Sequence, residues 1–319
     1  MANRTVCFVG VLANVDSSIL GIDLNHGFKI EPKSFSKGID LISRLEGLSI
    51  KSIGQKLLPL PCYNYSEKKY YVVTNSFEID IEVNNKGTLT SFPMGVARFD
   101  NEFFHGYLNR ITRLMRLFKE GNVVIPLKYY YLIEKNGPRM LMGSGTHVAV
   151  LEEPYTLETT EIPELLLFIR NTAFPFDKPF LQLAFEAFEL SYETSHIGLS
   201  FLSLMIGLET LLNPGRQELR YRVSRNVAVL LGKAVKDSKK IFCEVRDLYD
   251  QRSSLVHTGK LDTINREDLS RLRHYLRESI KETNKIGKNK ETNKIGKNKE
   301  VGLIDLLNSC GFGKRPWKK

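Results

Sequence analysis

Residues 249–259 read YDQRSSLVHTG, and they close a longer run, DSKKIFCEVRDLYDQRSSLVHTG (237–259), whose apolar residues recur at helical spacing. Gly259 is a natural stop for that helix, and Asp237 or Ser238 is placed to cap its start. Two strong polar groups, Arg252 and His257, stand near its end. On an ideal helix five residues turn about 500°, so these side chains point about 140° apart and share no face. A loosened last turn at Gly259 would change that angle. Two copies of the helix end, facing each other across a two-fold axis, would bring two arginines and two histidines into one cleft. The plainer reading of the same residues is a solvated arginine and a histidine bonded to the last carbonyls of the helix.

The neighbouring runs say what kind of domain this helix belongs to. KPFLQLAFEAFELSYE (178–193), HIGLSFLSLMIGLETLLN (196–213), RQELRYRVSRNVAVLLG (216–232) and NREDLSRLRHYLRESIKE (265–282) are all helical patterns, the last with Asn265 as its cap. Short loops between long helices predict antiparallel neighbours, hence a bundle. IPELLLFIRNT (162–172) reads as a connecting helix, and FPFDKPF (174–180) as a proline-punctuated joint. Upstream the texture changes. TVCFVGVLA (5–13), YYVVTN (70–75), FEIDIEV (77–83), NVVIPLKYYYLI (122–133) and THVAVLEE (146–153) are rich in Val, Ile and Tyr and predict strands. EVNNKGTL (82–89) and EKNGPRM (134–140) supply turns, and FFHGYLNRITRLMRLFKEG (103–121) predicts one helix among the strands. The fold class is α+β: a β-rich N-terminal domain over residues 1–172, an all-α helical bundle over 173–280, and a basic flexible tail over 281–319.

With 319 residues, 42% hydrophobic and 26% charged, the composition is that of a globular protein with a sizeable core. The formal charge of +10 admits a polyanionic partner. From Lys281 to Lys319, however, 11 Lys/Arg stand against 4 Asp/Glu, a net of +7, which leaves only +3 on the rest of the chain. That tail holds ETNKIGKNK twice in succession, at 282–290 and 291–299. It reads either as a solvated duplication or as an arm for nucleic-acid phosphates. Cys7, Cys62, Cys243 and Cys310 match no metal-ligand spacing and read as free thiols of a reducing compartment. MANRTVCFVGVLANVD (1–16) reads as a strand rather than a signal peptide, and the longest apolar stretch is short for a membrane span. A cytoplasmic protein with no cofactor, no metal and no membrane partner is the expectation.

A cleft built from arginine and histidine suits a phosphodiester. Arginine offers a fixed fork of donors to phosphate oxygens. Histidine, titrating near neutrality, can take a proton from a ribose 2′-OH or give one to a leaving oxygen. Three ordered motifs then carry a resemblance. They are Leu208, Glu209, Leu211 and Leu212 in GLETLLN; Arg225, Ala228, Leu230, Leu231 and Gly232 in SRNVAVLLG; and Leu248, Tyr249, Arg252, His257 and Gly259 in LYDQRSSLVHTG. Together, over roughly residues 178–280, they resemble the Apea-like branch of the HEPN helical domains.

That resemblance implies a bundle that dimerises through the motif-bearing helix. It also implies a metal-independent endoribonuclease used in antiphage defence, abortive infection or toxin-like growth arrest. Arg252 and His257 would be its catalytic pair and Glu209 the branch-typical acidic residue. Ser253 stands where many active members carry Asn, Asp or His; it can still hydrogen-bond a phosphate, but it is a poorer base and orienter. RNA, with tRNA among the candidates, and a second copy of the chain are the expected partners, with a phage-derived trigger bound by the N-terminal domain. The alternative is a non-catalytic dimerisation or RNA- or nucleotide-binding module whose N-terminal domain binds a partner. What separates the two is the cleft: an enzyme needs both Arg252 and His257 exposed and facing their dimer mates, and a His257 buried against its own bundle would exclude the enzyme.

Other candidates carry less. Glu209 is expected buried among apolar neighbours, with Arg222, Arg225 or Arg252 as its partner, either orienting Arg252 or fixing helix register. Tyr249 reads as a core or dimer contact. His196 and His274 read as surface or cap residues, and GSGTH (143–147) as a turn. Arg110, Arg113, Arg116 and Lys119, at three-residue steps, form a solvated face or a phosphate-facing stripe.

Overall fold

The computed structural model describes residues 2–34, 36–37, 62–64, 66–82, 91, 93–134, 137–145, 154–212, 215, 218–259, 261, 264–288 and 299–314. The chain divides into two compact units, Met1–Thr172 and Ala173–Lys319.

The first unit is built on an antiparallel sheet. Its strands are β1 (Ala2–Ala13), β2 (Lys29–Ser34), β3 (Tyr63–Asn64), β4 (Lys69–Ile81), β5 (Val124–Glu134) and β6 (Gly137–Gly145), ordered β2-β4-β1-β5-β6, with β3 beside β4. The β-branched and aromatic side chains of the three long central strands, β4, β1 and β5, supply the core: Val6, Phe8, Val9, Tyr70, Tyr71 and Tyr130 are all buried. YYVVTN and FEIDIEV, expected as two strands, are one. The register with β1 is unbroken from Ala2↔Ile81 to Leu12↔Tyr71, and the side chain of Asn75, the last residue of the first run, donates to the His26 carbonyl. The EKNGPRM hairpin forms, with β5 and β6 paired antiparallel from Glu134↔Gly137 to Leu127↔Gly145. The glycines of GSGTH lie in strand β6 and not in a turn. A Cβ on Gly145 would come within 2.8 Å of Leu127 Cδ2, so the missing side chain is what lets β5 pack there. Residues 83–90, which hold most of EVNNKGTL, and 146–153, which are THVAVLEE, lie outside the described residues.

The internal helix starts earlier than its pattern suggested. It runs as α1 (Met94–Phe99), a π-helical stretch (Asp100–Leu108) and α2 (Asn109–Phe118). Three residues of the expected basic stripe, Arg110, Arg116 and Lys119, are engaged within this unit. Arg110 donates to the carbonyls of Ile169 and Thr172, both at 2.9 Å. Arg116 is buried and donates to the Val123 carbonyl, and Lys119 pairs with Glu161 at 2.6 Å. They tie α2 and the residue after it to both ends of α3 (Glu161–Asn171) and to the start of β5. Buried backbone acceptors need donors, and long cationic side chains can supply them.

The second unit is helical: α4 (Pro179–Glu193), α5 (Ile197–Leu212), α6 (Leu219–Leu231), α7 (Val235–Thr258), α8 (Arg266–Lys288) and α9 (Lys299–Ser309). Phe185, Phe188, Phe201, Leu208, Val227, Leu248, Leu272 and Leu276 fill its core. α5 and α8 approach closely at Gly207, where an added Cβ would meet Leu276 Cδ2 at 2.5 Å. The cap of α8 is as expected: Asn265 Oδ1 accepts from the Asp268 N–H at 2.9 Å, and Asp268 returns a carboxylate to the Asn265 N–H at 3.3 Å. The cap of α7 is not. The helix begins at Val235, so Asp237 and Ser238 are already inside its first turn, and Ser238 Oγ accepts instead from the Gly313 N–H at 3.1 Å.

The expected tail boundary at 281 falls inside α8. Glu282, Thr283 and Ile286 of the first ETNKIGKNK copy are buried there, and all but the last residue of the second copy lies outside the described residues. Farther on, α9 buries Leu303, Ile304 and Leu307. Arg225, one of the expected partners of Glu209, donates instead to the carbonyls of Leu307 (3.1 Å) and Cys310 (2.7 Å). All four cysteines are free thiols. Among the described residues no helix is long and apolar enough to cross a membrane.

Candidate active site

The C-terminal half of α7 presents its polar residues on two sides. On one side lies Arg252. Its guanidinium Nε is 3.5 Å from Glu209 Oε1 on α5, and the two side chains are 25% and 20% exposed. Glu209 is therefore half-buried, not enclosed among apolar neighbours, because the helix turns it toward the groove beside α7. Tyr249, one turn before Arg252, donates its hydroxyl to the same Glu209 oxygen at 2.9 Å, and Arg252 lies over the Tyr249 ring at 5.7 Å. One carboxylate oxygen thus receives a phenol proton and faces a guanidinium. The bond fixes the carboxylate, and the carboxylate with the ring fixes the guanidinium. Burial first, and then the bond to Glu209, push the Tyr249 hydroxyl up to about 12, against the opposing pull of Arg252. It stays a proton donor at every physiological pH.

On the other side lies His257. It is exposed and makes no hydrogen bond or ion pair with any described residue. The helix does not loosen before it. α7 continues through Thr258 and ends at Gly259, whose φ of 68° is left-handed and whose N–H bonds the Leu255 carbonyl at 3.0 Å. The angle of about 140° between Arg252 and His257 therefore holds in the folded chain. Ser253, the residue between the two faces, is half-buried and free of partners among the described residues.

Tyr249 is buried, as the core reading expected, and its hydroxyl does more than fill space. That hydroxyl is part of the arginine's support. The position of Tyr249 three residues before Arg252, with a glutamate on the first of the three motifs, was the available signal. His196 and His274 behave as capping or surface groups. His196 Nδ1 accepts from the Leu199 N–H at 3.3 Å at the start of α5, and His274 Nδ1 lies 3.4 Å from Arg277 Nη2 on α8. Among the described residues no group of three His, Cys, Asp or Glu side chains is placed to hold a metal ion.

No family model, curated protein or solved structure matches this chain.

Chemically, the site offers a fixed, one-quarter-exposed cation already facing a carboxylate, and an unbound imidazole, on two flanks of one helix. A single copy cannot close them on one phosphate. A second copy related by a two-fold axis can place its histidine face beside the first copy's arginine face.

Proposed function

We propose that this chain is a metal-independent endoribonuclease of the Apea-like HEPN type, acting as a cytoplasmic homodimer in antiphage defence or toxin-like growth arrest. The observation that carries this reading is the contrast along α7: Arg252 is oriented by Glu209 and Tyr249, while His257 stands exposed and unengaged. A structural histidine at a helix end would be bonded to the last carbonyls, and here the glycine cap already closes the helix without it.

In the proposed reaction Arg252 holds the non-bridging phosphate oxygens and stabilises the charge that builds up as the phosphorus is attacked. His257 of one copy accepts the proton of the 2′-OH, whose oxygen attacks the adjacent phosphorus. The departing 5′-oxygen takes its proton from water and the imidazolium releases its own to solvent, so one arginine and one histidine, from different copies, complete the set. The bond from phosphorus to that oxygen breaks, leaving a 2′,3′-cyclic phosphate and a free 5′-hydroxyl. Ser253 lies between the two faces, where it can add one hydrogen bond to the phosphate. The N-terminal unit would carry the recognition step, binding a phage-derived trigger.

The test is cleavage of total RNA and of tRNA in EDTA by wild type and His257→Ala, beside a growth-arrest test of both. Cyclic phosphate ends from wild type alone support the reading. One observation favours a second reading: Arg252 already has a carboxylate partner, as a residue that only fixes helix register would. If neither protein cuts and wild-type expression is harmless with phage present, the bundle is a non-catalytic dimerisation or RNA-binding module with a partner-binding N-terminal unit.

A further inference from the structure

The face of α7 that carries His257 is longer than the histidine. At about 100° per residue, Phe242, Arg246, Asp250, Ser253 and His257 fall within a stripe about 80° wide, and it spans about 22 Å of helix. None of these side chains is fully buried. The start of α6 borders the stripe. Arg220 pairs with Asp250, and both side chains are about half exposed, at 51% and 50%. The Tyr221 ring meets Phe242 edge-on at 5.9 Å and is itself 55% exposed. Phe242 is backed by Phe312 at 5.9 Å and carries the Arg246 guanidinium at 6.0 Å.

An exposed tyrosine, propped by a second ring and flanked by arginines, sits on the path that leads to His257. Such a ring offers a flat face to an unpaired base, whereas the bases of a duplex already stack on each other. The arginines hold only exposed carboxylates, Asp250 and Asp247, and such pairs give way readily to a phosphate. We infer that the Tyr221–Phe242–Arg246 surface is the docking track for single-stranded RNA: one base stacks on Tyr221, and the backbone follows Arg220 and Arg246 toward His257. This rests on the RNA reading of the α7 site and adds to it the strandedness of the substrate and the direction from which it enters.

The test is fluorescence anisotropy of a labelled, unstructured RNA oligonucleotide with the full-length His257→Ala protein, which keeps the track and leaves the RNA uncut. Adding Tyr221→Ala is expected to weaken binding by about tenfold, the loss of one base stack. Tyr221→Phe should restore it. Arg246→Ala should lower the slope of log affinity against log salt by about one phosphate contact. Duplex RNA of the same sequence should compete poorly. Unchanged binding by Tyr221→Ala in a protein with a wild-type circular dichroism spectrum, or equal competition by the duplex, overturns the track. The two readings fail separately. If wild type cuts nothing while Tyr221-dependent binding persists, cleavage falls and the track stands. If Tyr221→Ala cuts RNA with unchanged KM, the track falls and cleavage stands.

Discussion

Tyr249 shows how much of the candidate site depends on one hydroxyl. It reaches across from α7 to the carboxylate of Glu209 on α5, which in turn faces Arg252. Tyr249→Phe keeps the ring and its contact with the arginine but leaves a half-buried carboxylate oxygen one donor short. We expect a loss of about 1 kcal/mol in urea unfolding, and a fall in kcat larger than any rise in KM, because the arginine is misaligned rather than removed. The same bond predicts a pH dependence. The hydroxyl is raised in the folded protein from its ordinary value of 10 to about 12. Its contribution is therefore complete below pH 10 and lost as pH climbs toward 12. Ultraviolet titration of wild type should show a tyrosine ionising in that window that is missing from Tyr249→Phe. Ionisation of Tyr249 near pH 10 would refute the burial of the hydroxyl, the larger cause of the shift, together with the bond.

Among the helices, the ends of α6, α7 and α8 are set by three different devices, and substitutions should rank accordingly. Gly259 closes α7 in the left-handed region with open space where a Cβ would go. Gly259→Ala therefore meets only the backbone cost of that region, about 1 kcal/mol. Asn265→Ala removes one half of the reciprocal cap of α8 and should cost a similar amount, about 1 kcal/mol. Gly232 is different: a Cβ there would sit 2.7 Å from both the Ala228 carbonyl oxygen and Ser238 Cα. Backbone on both sides has nowhere to move, so Gly232→Ala should cost about 1–3 kcal/mol and lower Tm the most of the three. A thermal ranking with Gly259→Ala at the bottom would show that α7 is held by its end rather than by the α6–α7 joint.

For the whole molecule, the divergence of Arg252 and His257 on one unbroken helix makes the composite dimer site testable by mixing. Arg252→Ala and His257→Ala, each inactive alone, should recover part of the activity when combined. The mixed dimer has one intact arginine from one copy and one intact histidine from the other. Activity that stays absent in mixed dimers, verified by sedimentation and by exchange of tagged chains, would place the reacting groups within a single copy and contradict the composite cleft. The same divergence predicts that dilution below the dimer dissociation constant abolishes cutting, since neither copy holds a complete set.

Periodicity and stop signals in the chain were enough to locate the helices α4 through α8, the Asn265 cap, the Gly259 terminus and the β5–β6 hairpin, because each depends on residues a few positions apart. They marked Arg252 and His257 only as two strong polar groups near a helix end; Glu209 was named through the resemblance of the three motifs. What they could not reveal was where long side chains end. Arg110 and Arg116 read as surface charge, but they reach backbone carbonyls brought near by α3 and β5. Arg225, equally placed to reach Glu209 by spacing alone, turns to the chain after α9. The start of the second ETNKIGKNK copy is nine residues from that of the first, yet Ile286 of the first is buried because α8 carries it along the bundle. Local order follows from neighbours in sequence. The choice of partner for a flexible polar side chain was decided only when tertiary packing fixed which acceptors came within its reach.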